Sequence, residues 1–212
     1  MNNTVYTIGY TGFTIEEFLK TLKDNDINVV IDVRSSPYSE RYPDYNKESL
    51  SFILKAENIY YRNYASEFGA RQDNRSFYSS EGYLDFDLFA KSEQFLSGVK
   101  KMKNSIAQGY KIVFLCAEKK PVQCHRAILV ARAFHNLGYK VIHFLPENKT
   151  ATHDDIEDEL LLMHCKDADQ ISIDSLFSNI NIEETMNKKE YLKTAYRAQN
   201  KKIAYRIEED EE

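Results

Sequence analysis

Short runs of apolar and β-branched residues, interleaved with amphipathic segments, set the limits on what this 212-residue chain folds into. Val29-Val30-Ile31-Asp32-Val33 is too continuously apolar to show one face to water. Such a strand needs cover on both sides, as in helix-covered parallel sheets. Val5-Tyr6-Thr7-Ile8, Ile59-Tyr60-Tyr61, Ile112-Val113-Phe114-Leu115 and Val141-Ile142-His143-Phe144-Leu145 complete a set of five expected strands. Between them, Thr14 and Glu17 form a capping-box pair ahead of Ile15, Phe18, Leu19 and Leu22 at helical spacing. Asn46 is placed to cap a helix through Leu50, Ile53 and Leu54. A third helical pattern runs through Leu88, Phe95, Leu96, Val99, Met102 and Ile106 to a stop at Gly109. A fourth carries Ile128, Leu129, Ala131 and Phe134 and stops at Gly138. Strands separated by helices of this length pair in parallel through right-handed crossovers. The expected fold is α/β, a three-layer, mostly parallel five-stranded sheet with flanking helices and a C-terminal helical extension. A partial barrel is the alternative.

Residues 1–165 are expected to form this α/β domain, with Thr152 and Asp155 capping a helix through Ile156, Leu160 and Leu161. Residues 166–212 read as a polar extension with a helix near 183–200 and an acidic tail, Glu208 to Glu212. Residues 66–82 lack periodicity, and a long loop in a compact domain is usually functional or mobile. The formal net charge of −5 argues against coating a polyanion, so a discrete ligand is the better partner. Three cysteines, an odd number, do not read as a disulfide framework. No run approaches the ~20 apolar residues that span a bilayer, and the opening Met-Asn-Asn-Thr has no signal-peptide pattern. The expectation is a protein of a reducing cytoplasm with no membrane partner.

Chemistry concentrates in Val113 to Arg126. The strand ends in Cys116, Ala117-Glu118-Lys119-Lys120 begin a polar loop, and Cys124-His125-Arg126 arrive together where a helix begins. Ligands of open α/β sheets sit beyond the carboxyl ends of strands, and a helix start lowers a thiol's pKa. Asp32, Arg34 and Ser36 follow the second strand, and Gly9, Tyr10 and Thr11 follow the first.

Three pieces together resemble the domain of unknown function 488 family, a group of uncharacterised bacterial and archaeal proteins. They are Thr7-Ile8-Gly9-Tyr10-Thr11, Asp32-Val33-Arg34-Ser35-Ser36-Pro37, and Cys116-Ala117-Glu118 with Cys124-His125-Arg126. Leu145-Pro146 with Thr152-His153-Asp154 matches that family's last strand and helix. The resemblance spans roughly residues 4–162. It implies an α/β domain whose site is built from the Asp-Val-Arg and Cys-Ala-Glu/Cys-His-Arg segments. The chain departs from the family in having Tyr10-Thr11 where His-Ser is commoner.

Cys116, Glu118, Cys124 and His125 are therefore the expected catalytic groups, with His125 the first choice of acid/base. Gly9, Tyr10, Thr11, Asp32, Arg34, Ser36 and Arg126 are the expected ligand-binding set, the arginines gripping an anion. Arg41, Arg62 and Arg71 fall near the same rim, and Tyr38, Tyr42, Tyr64 and Tyr78 could stack a base. No metal and no cofactor are expected, because Cys124 and His125 are adjacent and do not easily chelate together. A rhodanese- or phosphatase-like cradle is disfavoured, since the Cys116 loop has no glycine and reaches Arg126 ten residues on. Gly9-Tyr10-Thr11-Gly12 is not a dinucleotide or Walker pattern. His135 and His143 read as satisfied structural histidines, while His153 could reach the rim. Two functions remain: an enzyme acting on a nucleotide, a nucleic-acid end or another phosphorylated ligand, or a non-catalytic module binding such an anion.

Overall fold

A computed structural model describes residues 3–164 and 182–207. Six strands form one sheet in the order β3-β2-β4-β1-β5-β6. They are β1 (Thr4–Gly9), β2 (Val29–Asp32), β3 (Tyr60–Asn63), β4 (Ile112–Cys116), β5 (Lys140–Leu145) and β6 (Lys149–Thr152). The first five are parallel, and β6 returns antiparallel along β5. The sheet thus has one strand more than expected. Polar Lys149-Thr150-Ala151-Thr152 carries no apolar signal and forms an exposed edge by pairing its backbone with β5. The third strand is also shifted towards Asn63, because Ile59 ends the preceding turn instead of entering the ladder.

The helices are α1 (Ile15–Asp24), α2 (Lys47–Ala56), α3 (Ala65–Phe68), α4 (Phe86–Phe89), α5 (Glu93–Ala107), α6 (Arg132–Asn136), α7 (His153–His164) and α8 (Ile182–Ile203). A π-helical turn, Arg126–Ala131, runs directly into α6. The Thr14/Glu17 capping box is complete at α1, and Thr152 and Asp155 exchange bonds at the start of α7. Asn46 does not cap α2; its Oδ1 accepts from the Ser39 N–H, holding the loop after β2 instead. Leu88 belongs to α4 and is exposed, and Ser92 caps α5 separately. The tail at Glu208 to Glu212 and residues 166–181 lie outside the described residues. No helix among the described residues is long and apolar enough to cross a membrane.

Side chains alternate across each strand, so the sheet separates two cores. Ile8, Val30, Val113 and Leu115 pack with α1 and α2 on one face. Val5, Ile31, Phe114 and Cys116 face the π-turn, α5, α7 and α8 on the other. That alternation turns the Cys116 thiol towards the helix bearing Cys124 and His125. It also buries a polar chain on the same face. Thr7 Oγ1 lies 2.7 Å from His143 Nδ1, His143 Nε2 lies 3.1 Å from His153 Nδ1, and His153 Nε2 lies 2.9 Å from the Tyr196 hydroxyl. Tyr196 then donates to Glu157 at 3.0 Å. His153 is therefore committed to the interior and does not reach the rim. Because Tyr196 gives its proton to a carboxylate, it accepts from His153, and the two imidazoles serve in their neutral forms.

The sheet's carboxyl edge is closed by one tight crossing. A Cβ on Gly9 would lie 1.8 Å from the Glu118 carbonyl oxygen and 2.8 Å from Arg126 Nη1. Only hydrogen fits there. Gly9→Ala is expected to destabilise the protein by roughly 3 kcal/mol, the upper range of overpacking, measured as a lower urea midpoint. Burial also holds His153 down from 6.5 to about 3, and His143 well below the same ordinary value. The unfolded chain takes up these protons below 6.5 and the folded one does not. Stability is thus expected to fall by about 1.4 kcal/mol per pH unit for each histidine as pH drops below 6.5. An unchanged urea midpoint between pH 7.5 and 5 would contradict this.

Candidate functional site

Parallel strands bring the ends of β1, β2 and β4 to one edge. Gly9 pairs with Cys116, and Asp32 pairs with Leu115, so the Asp32–Arg34 corner adjoins the Cys116 crossover. The loop after Cys116 rises to the surface at Glu118, Lys119 and Lys120 and dives back through buried Pro121 and Val122. Cys124, His125 and Arg126 then enter the core as the π-turn starts.

Four side chains converge beneath this loop. Glu118 Oε2 lies 3.1 and 2.8 Å from the sulfurs of Cys116 and Cys124. His125 Nδ1 lies 3.7 Å from Cys116 Sγ, and its Nε2 lies 3.0 Å from the Val33 carbonyl oxygen. A carbonyl only accepts, so Nε2 carries the proton and Nδ1 faces the sulfurs with its lone pair when the ring is neutral. The Sγ atoms of Cys116 and Cys124 and a ring nitrogen of His125 all lie within 4.8 Å of one another. Their adjacency in sequence does not keep Cys124 and His125 apart: the turn into the helix aims both at one point. Both thiols are free and buried, at 2% and 1% exposure, while Glu118 is an exposed residue whose carboxylate turns inward.

Electrostatics divide the labour. Burial pushes both thiols up. At Cys124 the hydrogen bond from Cys116, the Arg126 charge and His125 together outweigh burial and hold the group well below the ordinary thiol range. Cys116, buried and donating to that thiolate, stays protonated far above it. Glu118 is pushed up by burial and by the neighbouring Cys124 charge. Burial lowers His125, but the Cys124 thiolate and Glu118 bring it above its usual value. The cluster thus pairs a thiol shifted down with a thiol, an imidazole and a carboxyl shifted up.

The arginines do other work than the one expected of them. Arg34 Nε and Nη2 donate to the two oxygens of Asp32 at 2.8 and 2.5 Å, deep in the fold. The Arg34 backbone N–H and the Tyr61 hydroxyl also donate to Asp32, at 3.0 and 2.6 Å, and Arg34 lies 5.2 Å from the Tyr10 ring centre. Arg126 is fully buried and gives Nη1 and Nη2 to the carbonyls of Glu118 and Lys119 at 2.6 and 3.2 Å. Both guanidinium groups bond to partners within the fold at this edge. One nitrogen of each, Arg34 Nη1 and Arg126 Nε, is buried without a partner.

Tyr10 is buried, stacked on Tyr45 at 4.5 Å, and Thr11 uses its backbone N–H to bond the Ala117 carbonyl. Ser36 is exposed and stands outside the cluster; its neighbour Ser35 accepts from the Arg71 N–H. Arg41 and Arg71 lie over the Tyr42 and Tyr205 rings, and Arg62 donates to the Tyr61 carbonyl. Tyr78 bonds the Gln72 backbone inside the 66–82 loop. Sequence reasoning missed Tyr61 and the Val33 carbonyl. Tyr61 ends the short run Ile59-Tyr60-Tyr61 and looks like core, and a backbone acceptor has no residue signature.

A three-layer α/β fold with a dithiol, imidazole and carboxyl cluster at the carboxyl edge of its sheet defines the class. The chain belongs to the family described as "Domain of unknown function DUF488", whose model matches residues 14–133. No curated protein and no solved structure gave a significant match. Asp32 tests how the edge is held. Asp32→Asn leaves Arg34 buried beside a neutral group, and we expect a loss of about 3–5 kcal/mol in urea unfolding, with Tyr61→Phe costing about 1 kcal/mol.

Proposed function

We propose that the protein is an enzyme acting on a small phosphorylated ligand, a nucleotide or a sugar phosphate, at the Cys116–Glu118–Cys124–His125 cluster. The observation that carries this reading is the convergence of both sulfurs on Glu118 Oε2 with His125 Nδ1 behind them. Structural thiols need no carboxylate, and three titratable groups with opposed shifts are how acid and base roles are set apart. Glu118, on the exposed loop, is the group a ligand meets first. The exposed Lys119 and Lys120 flank it and supply the positive fringe that the buried arginines do not. Free thiols fit a reducing cytoplasm, which we propose as the site of action.

The test uses the full chain under reducing conditions. AMP, ADP, ribose 5-phosphate, glucose 6-phosphate and inorganic phosphate are screened by thermal shift, and the binders are followed by mass spectrometry. At least one nucleotide or sugar phosphate is expected to raise the Tm and to be converted, with Cys124→Ser slowing conversion at least about 100-fold. If no member of the panel binds, or the serine variant turns over at the wild-type rate, the reading fails. Binding without conversion favours a non-catalytic anion-binding module.

A further inference from the structure

We propose that Cys116, Cys124 and His125, with Glu118 as an exchangeable fourth ligand, hold a divalent zinc-type cation. The inference rests on the reading above, since it names what the reactive cluster carries. Three donor atoms of the types zinc takes, two sulfurs and a ring nitrogen, lie within 4.8 Å of one another, and a carboxylate oxygen of Glu118 stands beside both sulfurs. Cys116 Sγ lies 3.7 Å from His125 Nδ1, and Glu118 Oε2 lies 3.1 and 2.8 Å from the sulfurs of Cys116 and Cys124. A tetrahedron with edges of about 3.5 Å places its centre about 2.1 Å from each corner, which is a zinc bonding distance. The two sulfurs and the ring nitrogen therefore need only small adjustments to coordinate, and Glu118, already beside both sulfurs, moves in as the fourth ligand.

Surrounding bonds point the same way. The His125 Nε2–H donated to the Val33 carbonyl at 3.0 Å fixes the ring so that Nδ1 faces the sulfurs. That is how a ligating imidazole is oriented by its outer shell. The Arg126 backbone N–H lies 3.5 Å from Cys124 Sγ and can support a bound thiolate. Three groups that can each carry a negative charge are crowded together beside only one buried guanidinium, that of Arg126. Without a cation they must share protons. A divalent ion displaces those protons to solvent and leaves two thiolates and a carboxylate around it. Soft sulfur and imidazole donors select zinc, cobalt or iron over magnesium or calcium. Cys116, Cys124 and His125 hang from a strand end and a helix start and are fixed. Glu118 sits on the exposed loop, so its departure opens one coordination position to a ligand oxygen, as in catalytic zinc sites.

The experiment titrates Co²⁺ into reduced, metal-stripped full chain. Sulfur-to-cobalt charge-transfer absorption and tetrahedral d–d bands should saturate at one ion per chain and be displaced by Zn²⁺. Cys124→Ser and His125→Gln are each expected to weaken binding at least about 100-fold. As these residues are buried, circular dichroism confirms that each variant folds. Glu118→Gln, on the exposed loop, should keep the charge-transfer band and shift the d–d bands. Absence of charge transfer in the folded wild-type chain overturns the assignment, as does a spectrum unchanged by Cys124→Ser. Unshifted d–d bands in Glu118→Gln remove Glu118 from the ligand set and with it the opening position. A metal-stripped chain that converts a panel ligand at the untreated rate overturns the metal alone. A cobalt site in a chain that binds no panel member overturns the enzymatic reading alone.

Discussion

Arg126 is the fixed point of this edge. Its guanidinium is wholly buried, and it spends two nitrogens on the backbone carbonyls of Glu118 and Lys119. Those bonds pull a surface loop down over the end of β1, where Gly9 has no side chain to obstruct it. The loop in turn brings Glu118 to the sulfurs. A buried charge without such partners would cost several kcal/mol, so the crossing is strongly specified. The same residue contributes positive potential to Cys124, which joins the architecture of the edge to the chemistry beneath it.

Much of the fold was legible because it rests on local rules. Continuous apolar runs, the Thr14/Glu17 box and the glycines after α5 and α6 gave strands, a helix start and helix stops that the structure shows. Strand β6 was illegible, since its stability comes from backbone pairing with β5 and its side chains are polar. The shift of β3 towards Asn63 has a similar cause: register is fixed by β2, not by local composition.

The site divides along the same line. Placing Cys116 and Cys124–Arg126 at one edge followed from parallel topology. The partners of the arginines did not, because a sequence shows a charge but not what lies beside it. Asp32 is two residues from Arg34 and close enough to take its Nε and Nη2; Tyr61 completes that pair from another strand. The geometric objection to joint action by Cys124 and His125 failed for a related reason. Adjacent residues diverge in a regular helix, whereas Cys124 is extended ahead of the turn and His125 is its cap.

The hydrogen-bonded row from Thr7 to Glu157 has its sense imposed from one end. The Glu157 carboxylate oxygen receives from Tyr196, so Tyr196, His153, His143 and Thr7 each point their hydrogens outward towards it. An amide in place of that carboxylate could donate as well as accept, and would no longer impose the ordering. Both imidazole tautomers would then be open within an unchanged heavy-atom framework, and a change at one acid of α7 would be felt at Thr7 on β1.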